Sequence, residues 1–289
     1  MQRALSTLCF ASQRLSTSLL DRIQDADIPL VELYCSRRHL DYRDTTQAAE
    51  LGSWFRDSKL KIHSLHSPVY NDESGGRSGP QSRIDITTPL KARRIEIVDE
   101  IKRALDLVEF FPFRYFVQHI GVSDEDYELE RLDSAFTALE QITLFAKQRG
   151  IEVLLENLPS EMARAERLLT FNSVTHMKLN FCFDAGHAHM MEGVENSFDM
   201  MKGGIRSVNL HDNDGKDDQH LYPQAGSIRW RQLMTRLRTL PADVPMVLEV
   251  KERADLEKPL DEVRRVFDAL EALGSLEPDE EDREAGLSR

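Results

Sequence analysis

Cysteine is scarce in this 289-residue chain and badly placed for pairing. Cys9, Cys35 and Cys182 lie far apart, and no C-x-x-C occurs. That argues against a disulfide-framed secreted scaffold and suits a reducing compartment. No run of 18 apolar residues exists, and the apolar stretch near the N-terminus is soon broken by polar residues. Neither a membrane span nor a signal peptide is expected, so the sequence predicts a cytoplasmic protein with no membrane partner. Basic charge is in deficit: 37 Lys and Arg stand against 50 Asp and Glu, a net −13. Such a surface draws neither nucleic acid nor anionic lipid at long range. Nucleic acid is not the expected partner, although a local basic groove is compatible with the count. No internal repeat and no interdomain linker stand out, and the segment after the first predicted strand has no Gly-rich phosphate turn.

What is present is alternation. Strand patterns fall at 5–10, 30–34, 61–67, 115–121, 152–158, 178–184, 207–212 and 245–250. Helical patterns fall between and after them, at 13–25, 45–58, 89–111, 129–149, 160–169, 194–202, 230–239 and 260–273. The strongest is 129–149, with Leu132, Phe136, Leu139, Ile142 and Phe145 spaced by three and four and Gly150 where a helix end favours glycine. Eight strands alternating with eight helices predict a single-domain (β/α)8 TIM barrel over 1–275 rather than a doubly wound open sheet. The acidic segment 276–289 is expected to be a disordered tail. Two long irregular stretches, 67–89 and 212–228, are candidates for functional loops.

In such barrels the chemistry sits where strands run into the following loops. The third strand delivers His66 there, the fourth His119, the fifth Glu156, the sixth Asp184 and then His187, the seventh His211 and the eighth Glu249. The loop after the seventh adds Asp218 and His220. Side-chain alternation sends the candidates on the later strands one way. Glu156 shares a face with Leu154, Asp184 with Asn180 and Cys182, His211 with Ser207 and Asn209, and Glu249 with Val247. The more strongly apolar faces then meet the helices and the candidates point into the barrel mouth. His63 has the opposite parity to His66 and reads as structural, while Cys182 reads as a small core residue. His39, His176 and His189 read as ordinary loop or helix residues.

Carboxylates and imidazoles together are ligands for Mn, Fe, Co or Zn. Glu156, Asp184 and Glu249 buried side by side would repel, and a divalent cation removes that repulsion. Without one, at least one carboxylate should hold a proton at neutral pH.

These residues resemble the sugar phosphate isomerase/epimerase family, the xylose isomerase-like TIM barrels, a superfamily that also contains bacterial-type apurinic endonucleases. The matching pieces are LLENL at 154–158, FDAGHA at 183–188, the run from His211 through Asp218 and His220 to Trp230, and LEV at 248–250. The resemblance implies a metal-dependent isomerase or epimerase acting on a sugar, sugar phosphate or related ketone. The implied ligands are Glu156, Asp184, His211 and Glu249, with Glu156 and Glu249 moving protons beside a carbonyl. His66, His119 and His187 are the implied substrate contacts. The implied cofactor is a divalent ion, Zn or Mn before Co or Mg. The implied partner is a small carbohydrate, with a homo-oligomer left open.

The endonuclease branch implies an alternative, a zinc-dependent phosphodiesterase with a trinuclear site. His66, His119, His187, Asp218 and His220 are then additional ligands. A third reading is a binding barrel that keeps the pocket without the proton chemistry. For phosphate recognition the sequence offers Arg77, Arg83, Lys216 and Arg229, all readable as mobile surface charge. Lys251 and Glu252, directly after the eighth strand, are placed to approach the mouth.

Overall fold

A computed structural model describes residues 1–123 and 125–275. The acidic segment 276–289 lies outside the described residues. Eight strands run in chain order: β1 (Arg3–Ser6), β2 (Leu30–Tyr34), β3 (Lys61–His66), β4 (Tyr115–His119), β5 (Glu152–Glu156), β6 (Asn180–Asp184), β7 (Ile205–Leu210) and β8 (Met246–Leu248). Each pairs in parallel with the next, and β1 pairs with β8. The sheet is therefore a closed barrel, and with helices following its strands it is a TIM barrel. The helices are α1 (Thr17–Asp25), α2 (Thr45–Asp57), α3 (Lys91–Leu105), α4 (Leu129–Gln148), α5 (Ala165–Val174), α6 (Ala185–Met190), α7 (Val194–Met201), α8 (Trp230–Leu237) and α9 (Pro259–Ser275). None of the helices among the described residues is long and apolar enough to cross a membrane.

Local chemistry sets the element ends. Gly150, at φ +73°, takes the left-handed position after α4. Its N–H donates to the Lys147 carbonyl at 3.1 Å, and that of Ile151 to Ala146 at 3.0 Å, which closes the helix. The first strand is shorter than its pattern suggests. Ser6 ends it and its hydroxyl accepts from the Leu8 N–H, turning Thr7–Phe10 into a 3-10 turn. The helix expected at 160–169 begins instead at Ala165, because Ser160 starts a turn in which Arg164 N–H donates back to its carbonyl at 2.9 Å. Helix α6 has no counterpart in the sequence reading. It is six residues long and is started by the Asp184 carboxylate, which accepts from His187 N–H at 2.6 Å.

The larger apolar core lies between sheet and helices, with Phe116, Leu155, Phe183, Val208, Leu210 and Leu248 buried in it. Inside the barrel only Tyr115, Val117, Leu154 and Cys182 form a separate apolar cluster. Apart from Ala4 and Val247, much of the remaining interior is polar. Ser64 Oγ donates to Glu32 at 2.9 Å, and His63 Nε2 lies 3.1 Å from Ser207 Oγ. The alternation argument fails at His63. Val31 pairs with Ile62 but Glu32 with Ser64, so His63 is the extra residue of a bulge. It is buried against Tyr115 and Ser207.

Candidate metal centre

All nine sequence-derived candidates come to the C-terminal end of the barrel. Their donor atoms form three overlapping groups, each within 4.8 Å: His66, His119 and Glu156; Glu156, Asp184 and His187; and His187, His211, Asp218 and His220. Glu249 belongs to none of these groups. Its link to the others is the Asn209 amide, which donates to Glu249 Oε2 at 3.1 Å and to Glu156 Oε1 at 3.2 Å. The expected four-residue set thus lies inside a larger cluster, with Asp184 close to His211 and to Glu156, and Glu249 joined to Glu156 through Asn209. Asp184 Oδ1 lies 3.0 Å from His211 Nε2.

Backbone groups aim the imidazoles. Nδ1–H of His66 donates to the Ser67 carbonyl at 2.8 Å, that of His187 to Asn157 at 2.9 Å, and that of His220 to Glu249 at 3.0 Å. Each leaves Nε2 facing the cluster, the arrangement that fixes a ligand's tautomer and direction. Asn157 locks the fifth and sixth strand ends together: its amide donates to the Asp184 carbonyl and accepts from the Asp184 N–H, both at 2.9 Å.

Gly186 lies against the His211 ring so closely that a β-carbon there would collide with it. Asp212 organises the loop that carries Asp218 and His220. It accepts from the N–H groups of Gln224 and Ile228 at 2.9 and 3.1 Å, and from Trp230 Nε1 at 2.6 Å. The long H-D-N-D-G-K…W run is therefore largely a device for holding two donors.

The electrostatics are those of a crowded, dry cluster. Burial pushes Glu156 upward, but the charges and hydrogen bonds of His119 and His66 outweigh it and hold the carboxylate well below its usual range. Glu249 moves the other way, to about 8, through burial and the nearby charges of Glu156 and Glu32. Burial works against a charged His66, yet its hydrogen bond to Glu156 at 3.2 Å lifts it to about 10. His187 is likewise raised against burial, by Asp184 and Asp218. His119 and His211 are lowered, mainly by burial.

The residues fit a bound cation. Asp184 Oδ2, both ring nitrogens of His211 and Asp218 Oδ1 are buried without hydrogen-bond partners. Orphaned donors and acceptors of this kind call for an ion or a water, and an oxygen-and-nitrogen set is the donor chemistry of a divalent transition metal.

The cluster opens into a cavity of about 380 Å³, with walls that include Tyr34, Val69, Tyr70, Ile84 and Leu158. The expected substrate contacts His66, His119 and His187 line it, with Glu156, Asp218, His220 and Glu249. Asp184 and His211 lie fully buried. Of the basic residues considered for phosphate, Arg83 lines the cavity, while Arg229 pairs with Glu195 at 2.9 Å and Arg77 donates to the Ser74 carbonyl; Lys251, expected near the mouth, lines the cavity too.

Two interior residues escaped the sequence argument. Glu32 on β2 is fully buried beneath the cluster, and burial raises its pKa, making it a weaker acid. The signal was there, a lone acid between Val31 and Leu33 in an apolar strand. The second is Asn209, recognisable from parity as inward but not as the link between the two glutamates.

A family profile described as a xylose isomerase-like TIM barrel matches residues 20–273. The uncharacterized protein MJ1311 of Methanocaldococcus jannaschii is 26% identical over 270 residues, covering 89% of this chain and 86% of its own. A solved structure described as a D-tagatose 3-epimerase-like protein superposes with a TM-score of 0.76 at 21% identity, covering 95% of this chain and 98% of its own. The IOLI protein with a bound zinc atom superposes with a TM-score of 0.70 at 16% identity, covering 95% and 98%. The chain belongs to the xylose isomerase-like TIM barrel family.

Proposed function

We propose that this chain is a divalent-metal-dependent isomerase or epimerase acting on a sugar, sugar phosphate or related ketone. The observation that carries this reading is the Glu156–Glu249 pair. Both carboxylates line one cavity and share the Asn209 amide, while their surroundings drive their acidities apart. An ionised acid facing a protonated one is the arrangement of a proton acceptor and a proton donor. Structural similarity to the D-tagatose 3-epimerase-like protein agrees with it.

A bound divalent ion would supply Lewis acidity to neighbouring substrate oxygens. Glu156 then takes the proton from the carbon beside the carbonyl, and Glu249 delivers one to the opposite face or to the adjacent carbon. Asn209 keeps the two carboxylates at fixed spacing. His66, His119 and His187 hold substrate hydroxyls, and the aromatic and aliphatic walls keep bulk water from the reacting carbon.

The test is solvent exchange. The metal-loaded chain, incubated with a panel of ketoses in deuterated water, is expected to wash deuterium into the carbon beside the carbonyl. Glu249→Gln should abolish exchange with the fold retained. Exchange at the wild-type rate in that variant overturns the assignment.

A second reading is favoured by one observation. The three donor groups are joined in series, with Glu156 shared by the first two and His187 by the last two, which suits a trinuclear zinc phosphodiesterase. Three zinc ions per chain, together with cleavage of abasic DNA, would establish it in place of the isomerase.

A further inference from the structure

The cavity carries two positive charges that the proton chemistry does not use. Arg83 and Lys251 both line it, in a chain of net charge −13. Arg83 is positioned by backbone pairing. The segment 67–89 folds back on itself: Tyr70 bridges Arg83 in antiparallel fashion, Asn71 N–H donates to Ser82 at 2.8 Å, and Ile84 N–H donates to Val69 at 2.9 Å. The Arg83 carbonyl is held in turn by the Arg93 guanidinium at 3.2 Å.

The Arg83 guanidinium itself makes no hydrogen bond or ion pair among the described residues. Arg131, Arg164 and Arg236, by contrast, are paired with carboxylates. Lys251 arrives from the far end of the barrel sequence. Its N–H donates to the His220 carbonyl at 3.0 Å and its Nζ to the Asp218 carbonyl at 2.7 Å. One of three ammonium donors is thus engaged and the amine is tethered at the rim.

Both side chains are exposed at the rim of the cavity, and a neutral sugar offers neither of them a counter-charge. A phosphate monoester matches both: the guanidinium fork fits its oxygens, and the ammonium serves as a point charge beside it. A cavity of about 380 Å³ has the size of a small-molecule site. We infer that the pocket selects a small phosphorylated sugar or polyol derivative, with Arg83 and Lys251 holding the phosphate while the other end meets the Glu156–Glu249 pair. The inference rests on the isomerase reading for the reacting end, but the phosphate contact is testable without turnover.

The probes are D-glucitol and D-glucitol 6-phosphate, neither of which has a carbonyl to react. Calorimetry on the metal-loaded full chain is expected to show the phosphate ester binding about tenfold more tightly or better. In Arg83→Gln and in Lys251→Gln the ratio of the two dissociation constants should collapse towards one. In Arg77→Gln, a residue outside the cavity lining, the ratio should persist. A wild-type ratio near one overturns the inference. So does a preference that survives both substitutions, since the phosphate would then sit on the metal cluster. An abasic oligonucleotide that binds far more tightly than the glucitol ester overturns it in favour of a phosphodiester ligand. A preference for the ester without deuterium exchange into any ketose would defeat the isomerase reading and leave the phosphate subsite standing.

Discussion

The imidazoles of His211 and His220 are stacked, with ring centroids 3.9 Å apart and planes 14° from parallel. Two cations do not tolerate that contact. The directions agree: burial lowers His211, while Asp218, overcoming burial, raises His220. His211 is therefore the neutral ring, with lone-pair character available beside Asp184. Its far side is covered by Gly186, where a β-carbon has no room.

Gly186→Ala is therefore expected to displace the His211 ring without unfolding the barrel. Losses of about 10- to 100-fold in metal affinity are typical when a ligand's support is removed, and a loss in that range is expected here. Metal titration followed by calorimetry, with far-ultraviolet circular dichroism as the fold control, checks it. Wild-type affinity in this variant would show that the ring relaxes freely and that glycine is not required for ligand placement.

Metal binding should release protons. Without a cation His66 is lifted to about 10 by its bond to Glu156, so it is protonated at pH 7. A cation bound by Glu156 competes with that proton for the same carboxylate. Apparent affinity should then rise with pH, by about tenfold per pH unit for each proton displaced. Titrations at pH 6 to 8 in buffers of different ionisation enthalpy count the protons directly. A pH-independent affinity with no buffer-dependent heat would refute the linkage.

Acid stability should depend on His39, which lies outside the metal cluster. The ring is fully buried, its Nδ1–H donates to the Gln13 carbonyl at 2.6 Å, and burial lowers it to about 4. Its folded value lies below the unfolded 6.5. The unfolded chain therefore binds the extra proton between those limits, and stability falls as pH drops from 6.5 towards 4. The shift corresponds to a loss on the order of 3 kcal/mol from this group. His39→Gln should be less stable than wild type at pH 7 but approach it at pH 4.5. Denaturant melts at the two pH values measure the convergence, and parallel curves for the two proteins would sink the assignment.

Much of this site was readable because closed barrels impose simple rules. Strand alternation and the convention that chemistry sits at strand ends brought Glu156, Asp184, His211 and Glu249 to one rim from positions up to 93 residues apart (Glu156 and Glu249). The same rule misplaced His63, because a bulge adds a residue that no pattern in KIHSLH announces. Helix α6 was invisible for a different reason. It is too short for a periodic signal, and its start depends on a side chain already counted as a ligand. Gly186 was legible as part of D-A-G-H, yet the reason for glycine is the approach of a ring from β7, which only the assembled barrel supplies. Arg83 read as surface charge because its distinguishing property is the lack of a partner, and that is a fact about three dimensions.

The left-handed turn at Gly150 has a reach well beyond the helix it ends. It delivers the chain so that Glu152 N–H meets the Arg114 carbonyl at 2.9 Å, which starts the fifth strand in register with the fourth. From there each residue advances roughly 3.3 Å and reverses face. A slip by one would send Glu156 towards the helices and bring Leu155 into the mouth. The depth and heading of the most central acid in the molecule are thus calibrated at the opposite end of the barrel, by a residue with no side chain at all.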